Sequence, residues 1–126
     1  MMKMRTDLGR VRGLGSAKEG TGHFWLQRLT GIANLVLITA FVILLIDLHD
    51  QTYADVRLAF GNPLVGLIMA LVVISVAVHM RLGMQTILED YIHGPARLPL
   101  QILNTFFAVL VAGASLFAIA KLSFGA

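Results

Sequence analysis

The sequence predicts an all-α integral membrane protein with three transmembrane helices. Hydrophobic residues make up 57% of the 126-residue chain and charged residues only 13%. Soluble domains carry about 25% charged residues, so this chain lacks the polar surface that water requires. Three apolar runs, 29–48, 63–88 and 98–120, each reach the roughly 20 residues of helix that cross a bilayer core. Nothing at membrane depth bonds an exposed amide except the segment itself, so helix is the state these runs must adopt.

The length suits one domain. The chain has no cysteine, which excludes disulfides and cysteine-ligated zinc or iron–sulfur clusters within it. The net charge of +3 comes mostly from one end. No aromatic residues interleave with those charges as they do in nucleic-acid sites, so the basic end reads as a topology signal and no nucleic-acid partner is expected.

Residues 1–22 form a basic, glycine-rich cytoplasmic tail holding Lys3, Arg5, Arg10, Arg12 and Lys18. It is expected to be extended and to settle against a partner, with the membrane anchor occupying 23–126. The apolar run that follows is too long for a secretory signal. The glycines, Asp7 and Glu19 argue against a mitochondrial transit peptide, so the simpler home is a bacterial inner membrane. The first span ends near Asp47; the second starts at Pro63, and the third has Pro99 near its start, where a missing N–H costs little. Lys3, Arg5, Arg10, Arg12, Lys18, Arg28, Arg81 and Arg97 lie on the amino-terminal side or in the connector between spans two and three. Only Arg57 and Lys121 lie opposite. The positive-inside rule therefore places the amino terminus in the cytoplasm and the carboxyl terminus in the periplasm.

His79 lies inside the second span. Ionisable residues at membrane depth are costly and face protein, water or a cofactor, and a neutral imidazole there suits haem iron. Gly83, one turn on, leaves room for a porphyrin. The alternative is a histidine hydrogen-bonded to a neighbouring helix. The other two spans hold no histidine or methionine, so a six-coordinate haem on His79 needs its second ligand from another chain. That makes the fold part of a heteromeric helical bundle.

Arg28 follows His23, Trp25 and Gln27 at the start of the first span. It is either an interfacial anchor or, with His23, a partner for haem propionates. Thr30 and Asn34 share a face and are expected to hydrogen-bond across helices. Asp90 and Tyr91 close the second span; Tyr91 lies about 18 Å beyond His79 along a straight helix. Its hydroxyl either belongs to the aromatic belt or donates to a quinone carbonyl, with Asp90 orienting a nearby group or relaying a proton. Arg81 is about 200° around the helix from His79 and is expected to snorkel to the cytoplasmic interface. Asn104, Thr105, Ala108, Ala112, Gly113 and Ser115 make the third span a packing surface.

The stretch from His79 through Gly83 to Asp90, Tyr91 and His93 resembles the signature of the haem-carrying hydrophobic membrane anchor of succinate dehydrogenase. Gly22-His-Phe-Trp-Leu-Gln-Arg-Leu-Thr30 is similar to the start of that family's first helix. The resemblance covers nearly the whole chain. It implies that His79 ligates haem b, that Arg28 and His23 lie near the propionates, and that Tyr91 and Asp90 lie at the ubiquinone site. It implies three partners: a second, cytochrome b556-like membrane anchor, an iron–sulfur protein and a flavoprotein, the last two on the cytoplasmic face. The function implied is anchoring of a succinate:ubiquinone oxidoreductase, without catalysis of succinate oxidation by this chain. A fumarate reductase anchor, and a structural or assembly membrane protein without a cofactor, are the alternatives.

Overall fold

A computed structural model describes residues 6–13 and 20–125. Its elements are α1 (Asp7–Val11), α2 (Thr21–Leu48), α3 (Tyr53–Gly61), α4 (Pro63–Tyr91) and α5 (Arg97–Ser123). Among the described residues there is no strand.

The described part of the amino-terminal region is not wholly extended. Thr6 caps the short helix α1 by accepting a hydrogen bond from the Gly9 amide at 3.1 Å. Asp7 sits at its positive end and Arg10 in its last turn, the arrangement a helix dipole favours. Lys3, Arg5 and Lys18 lie outside the described residues.

Helices α2, α4 and α5 are each long and apolar enough to cross a membrane. Helix α2 has 28 residues, about 42 Å of length against about 30 Å of hydrocarbon. Its first two turns, which precede the apolar run from Leu29, carry His23, Phe24, Trp25, Gln27 and Arg28 and are helical. Gly20 precedes the helix at φ 93, a left-handed conformation that glycine adopts without steric cost.

Helix α3 was not evident in the sequence. Thr52 caps it, accepting from the Asp55 amide at 3.3 Å and donating to the Asp55 carboxylate at 2.6 Å. Asn62 ends α3 and starts α4: its amide donates to the Ala59 carbonyl and its side chain accepts from the Leu64 amide. Pro63 follows at the first helical position. Helix α3 packs on α4 and α5 through the buried Phe60.

Helix α4 is the centre of the bundle, with α2 and α5 packed against it. Gly66, Val72, Ser75, Ala77 and Leu82 are buried along it, and Leu82 is only 3% exposed. Lipid tails are as apolar as leucine, so hydrophobicity does not drive these helices together. Close packing of small residues and interhelical hydrogen bonds do. The outer surfaces of α2 and α5 are correspondingly apolar: Leu35, Val36, Phe106 and Leu110 are all exposed.

The α4–α5 interface corrects one expectation. Arg81 does not simply snorkel. Its Nε donates to Thr105 Oγ1 at 3.2 Å, and its carbonyl accepts from Asn104 Nδ2 at 3.0 Å. Thr105 passes its own proton to the Gln101 carbonyl at 3.1 Å. Asn104 and Ala108 are the buried residues of α5, whereas Gly113 is exposed and no described residue of another helix lies within 4 Å of where its Cβ would stand. Only part of the third span therefore forms the expected packing surface. Its connector to α4 turns at Gly94, φ 86, and Arg97 lies 3.8 Å from Glu89 across it. Pro99 falls in the first turn of α5, among the amides that have no helical partner in any case.

Candidate functional site

Helices α2 and α4 run antiparallel and meet through polar and small residues at matched heights. Ser75 Oγ donates to Asn34 Oδ1 at 2.7 Å. One turn along α4, His79 Nδ1 lies 3.1 Å from Thr30 Oγ1, and the Cε1 edge of its ring faces Gly31. One turn further, Gly83 faces the side chain of Gln27. The inner stripe of α2 is therefore Gln27, Thr30, Gly31 and Asn34, spaced three and four residues apart as one helix face requires. Thr30 and Asn34 bond across helices, as their spacing implied.

His79 is half-buried. Its Nδ1 is engaged, and its Nε2 takes no partner among the described residues. Gly83 lies next to Gln27, so the room left by its missing side chain is used first by the α2–α4 contact. A Cβ at Gly31 would stand 3.5 Å from His79 Cε1, ordinary contact, whereas a larger side chain would press on the ring. Among the described residues no three His, Asp or Glu side chains gather into a metal cage; His79 offers a single imidazole.

Two enclosed polar atoms on α2, His23 Nε2 and Gln27 Oε1, have no hydrogen-bond partner among the described residues. Buried polar atoms rarely stay unpaired. Both lie in the first two turns of α2, the end that carries Arg28.

Arg28 is not brought to His79. It is two residues from Thr30, about 200° around the helix, and is exposed on the outer side of α2. Its guanidinium sits 4.9 Å from the centre of the Phe24 ring, whose edge-on neighbour is Trp25. Asp90 and Tyr91 finish α4. Asp90 lies within about 20° of His79 around the helix and Tyr91 about 120° away. Tyr91 is 78% exposed. Ser75, Gln27 and the Arg81–Thr105–Asn104 cluster were not singled out as a site by sequence. Their role depends on which helix faces which, and composition does not encode that.

The profile of the family described as succinate dehydrogenase/fumarate reductase transmembrane subunit matches residues 2–120. The chain belongs to that family. It is 33% identical over 125 residues to the succinate dehydrogenase hydrophobic membrane anchor subunit of Paracoccus denitrificans, an alignment covering 99% of this chain and 97% of that one. It is 31% identical over 91 residues to the protein of the same name in Rickettsia bellii, with 70% of each chain covered. No solved structure matches significantly.

As a succinate dehydrogenase anchor-family member, the chain works in the membrane within a complex of other succinate dehydrogenase subunits. The family match spans α2 and α4 and nearly all of α5.

Proposed function

We propose that this chain is the hydrophobic anchor of a bacterial succinate:ubiquinone oxidoreductase, and that it supplies one axial ligand to haem b and part of the ubiquinone site. The observation that carries the haem assignment is the state of His79: one ring nitrogen is held by Thr30 and the other has no partner among the described residues. Metal-bound histidines are held in this way, through the nitrogen that does not face the metal. When bound, haem b provides a one-electron carrier within the membrane. With haem bound, its second ligand would have to come from another chain, because α2 and α5 offer no histidine or methionine at that depth.

Toward the cytoplasmic end, His23, whose Nε2 has no hydrogen-bond partner among the described residues, is one group on this chain that would meet a propionate. Arg28 reaches one only from the outer, partner-facing side of α2. Tyr91 ends α4 where the iron–sulfur protein and the flavoprotein dock, and its hydroxyl donates to a quinone carbonyl there. The exposed Asp90 beside it is the adjacent carboxylate. The amino terminus and the connector at 94–97 face the cytoplasm on the charge asymmetry.

The test is the visible spectrum of the purified complex. His79→Leu should remove or convert the low-spin haem signal, and the chain expressed without its partner anchor should show no bis-histidine spectrum. Unaltered low-spin haem in the His79→Leu complex would refute the assignment.

A further inference from the structure

We infer that Thr30 is the positioning residue that fixes the tautomer of His79, placing the proton on Nδ1 and the lone pair on Nε2; its haem consequence rests on the function proposed above, but the tautomer itself does not. The Thr30 hydroxyl has one proton and three polar neighbours. Thr30 Oγ1 lies 2.8 Å from the Leu26 carbonyl, 3.1 Å from the Gln27 carbonyl and 3.1 Å from His79 Nδ1. Both carbonyls can only accept. Were the proton sent to Nδ1 instead, oxygen lone pairs would face each other at 2.8 and 3.1 Å with no hydrogen between them. Donation to the carbonyl one turn back is also the ordinary behaviour of threonine in a helix. The proton therefore goes to the backbone, and Oγ1 meets His79 as an acceptor.

Nδ1 must then carry a hydrogen. A neutral imidazole has one N–H and one lone pair, so the lone pair sits on Nε2, the nitrogen with no partner among the described residues. Which ring nitrogen is free to ligate is set by the bond the other one makes. The surroundings hold the arrangement in place. Thr30 is buried, and Ser75, one turn from His79, ties α4 to Asn34 at 2.7 Å. Gly31 beside Thr30 lets the ring lie close against α2. Thr30 thus converts helix packing into a directed metal ligand, without touching the metal.

Two measurements test this. The first uses the full chain without haem, reconstituted in bilayers and labelled at histidine nitrogen. The His79 signals are assigned by their loss in His79→Leu, under conditions where the ring is neutral. The ¹⁵N shifts should report a protonated Nδ1 and an unprotonated Nε2 in the unaltered chain and in Thr30→Ser. Thr30→Val, of nearly the same size, should populate the opposite tautomer. A protonated Nε2 in the unaltered chain overturns the inference whatever haem does. The second uses the assembled complex. Loss of the partner that orients a metal-bound histidine typically weakens binding about 10–100-fold. Thr30→Val should lose haem affinity by that factor, and Thr30→Ser should recover it. Unchanged haem affinity and spectrum in Thr30→Val, with haem lost in His79→Leu, overturns the positioning role alone. Haem unaltered in His79→Leu overturns the haem reading and leaves the nitrogen shifts to decide the tautomer.

Discussion

Replacing Tyr91 by phenylalanine removes one oxygen and keeps the ring. Tyr91 is 78% exposed and is the last residue of α4, so the substitution breaks no packing in this chain. Exposed substitutions away from special features usually stay within about 0.5 kcal/mol. The residue is also about 18 Å along the helix from His79, so haem content and spectrum should not change. The expected loss is confined to quinone chemistry. A donor fully used on a developing negative charge is worth about 10²–10³ in rate, or about 2.7–4 kcal/mol; partial use lowers that factor. The assay is a pair of activities on one purified complex: succinate oxidation with ubiquinone, and with a soluble artificial acceptor that bypasses the membrane. Tyr91→Phe should slow the first and leave the second nearly intact. Equal loss of both would mean failed assembly, and full retention of quinone reduction would reduce Tyr91 to an interfacial anchor.

The Ser75–Asn34 bond should contribute about 0.6 kcal/mol, with about 1.7 as the upper end for interhelical bonds in membranes. A double-mutant cycle of Ser75→Ala and Asn34→Ala, read from unfolding in mixed micelles, should give that coupling; no coupling means the bond is replaced when either partner is lost. Part of the loss is recovered in Asn34→Ala, because Ser75 Oγ already lies 3.5 Å from the Thr30 carbonyl. Leu82→Ala opens a cavity at the most enclosed large side chain of α4 and should cost about 2–5 kcal/mol, visible as lowered thermal stability of the complex. A near-neutral result would show that α2 and α5 collapse onto the gap. A reporter fused after Ala126 should behave as periplasmic and one inserted at 94–97 as cytoplasmic; a cytoplasmic carboxyl terminus would contradict the three-span topology.

Composition and local pattern were enough to place the spans, establish the membrane environment and draw attention to His79 and Tyr91. Hydropathy is a sum over a local window, and a bilayer acts on each segment separately, so three helices follow without knowledge of their contacts. A histidine in such a run is costly wherever the helix turns, which makes it visible without a structure. Helix α3 escaped because nine residues of mixed polarity carry a weak periodic signal, although the Thr52–Asp55 cap and the Asn62–Pro63 boundary were there to be read.

Packing between the helices settled how each is rotated about its own axis. That rotation is set by contacts with neighbours, since every apolar face suits lipid equally well. It turned Thr30 and Gly31 toward His79 and left Arg28, two residues before Thr30 on the same helix, facing away. It gave Gly83 to Gln27, and it drew Arg81 onto Thr105 and Asn104 where charge alone pointed to the headgroups. It also brought His79 Nδ1 to 3.1 Å from the Thr30 hydroxyl, whose two carbonyl neighbours, Leu26 and Gln27, belong to α2 itself and follow from helix geometry alone.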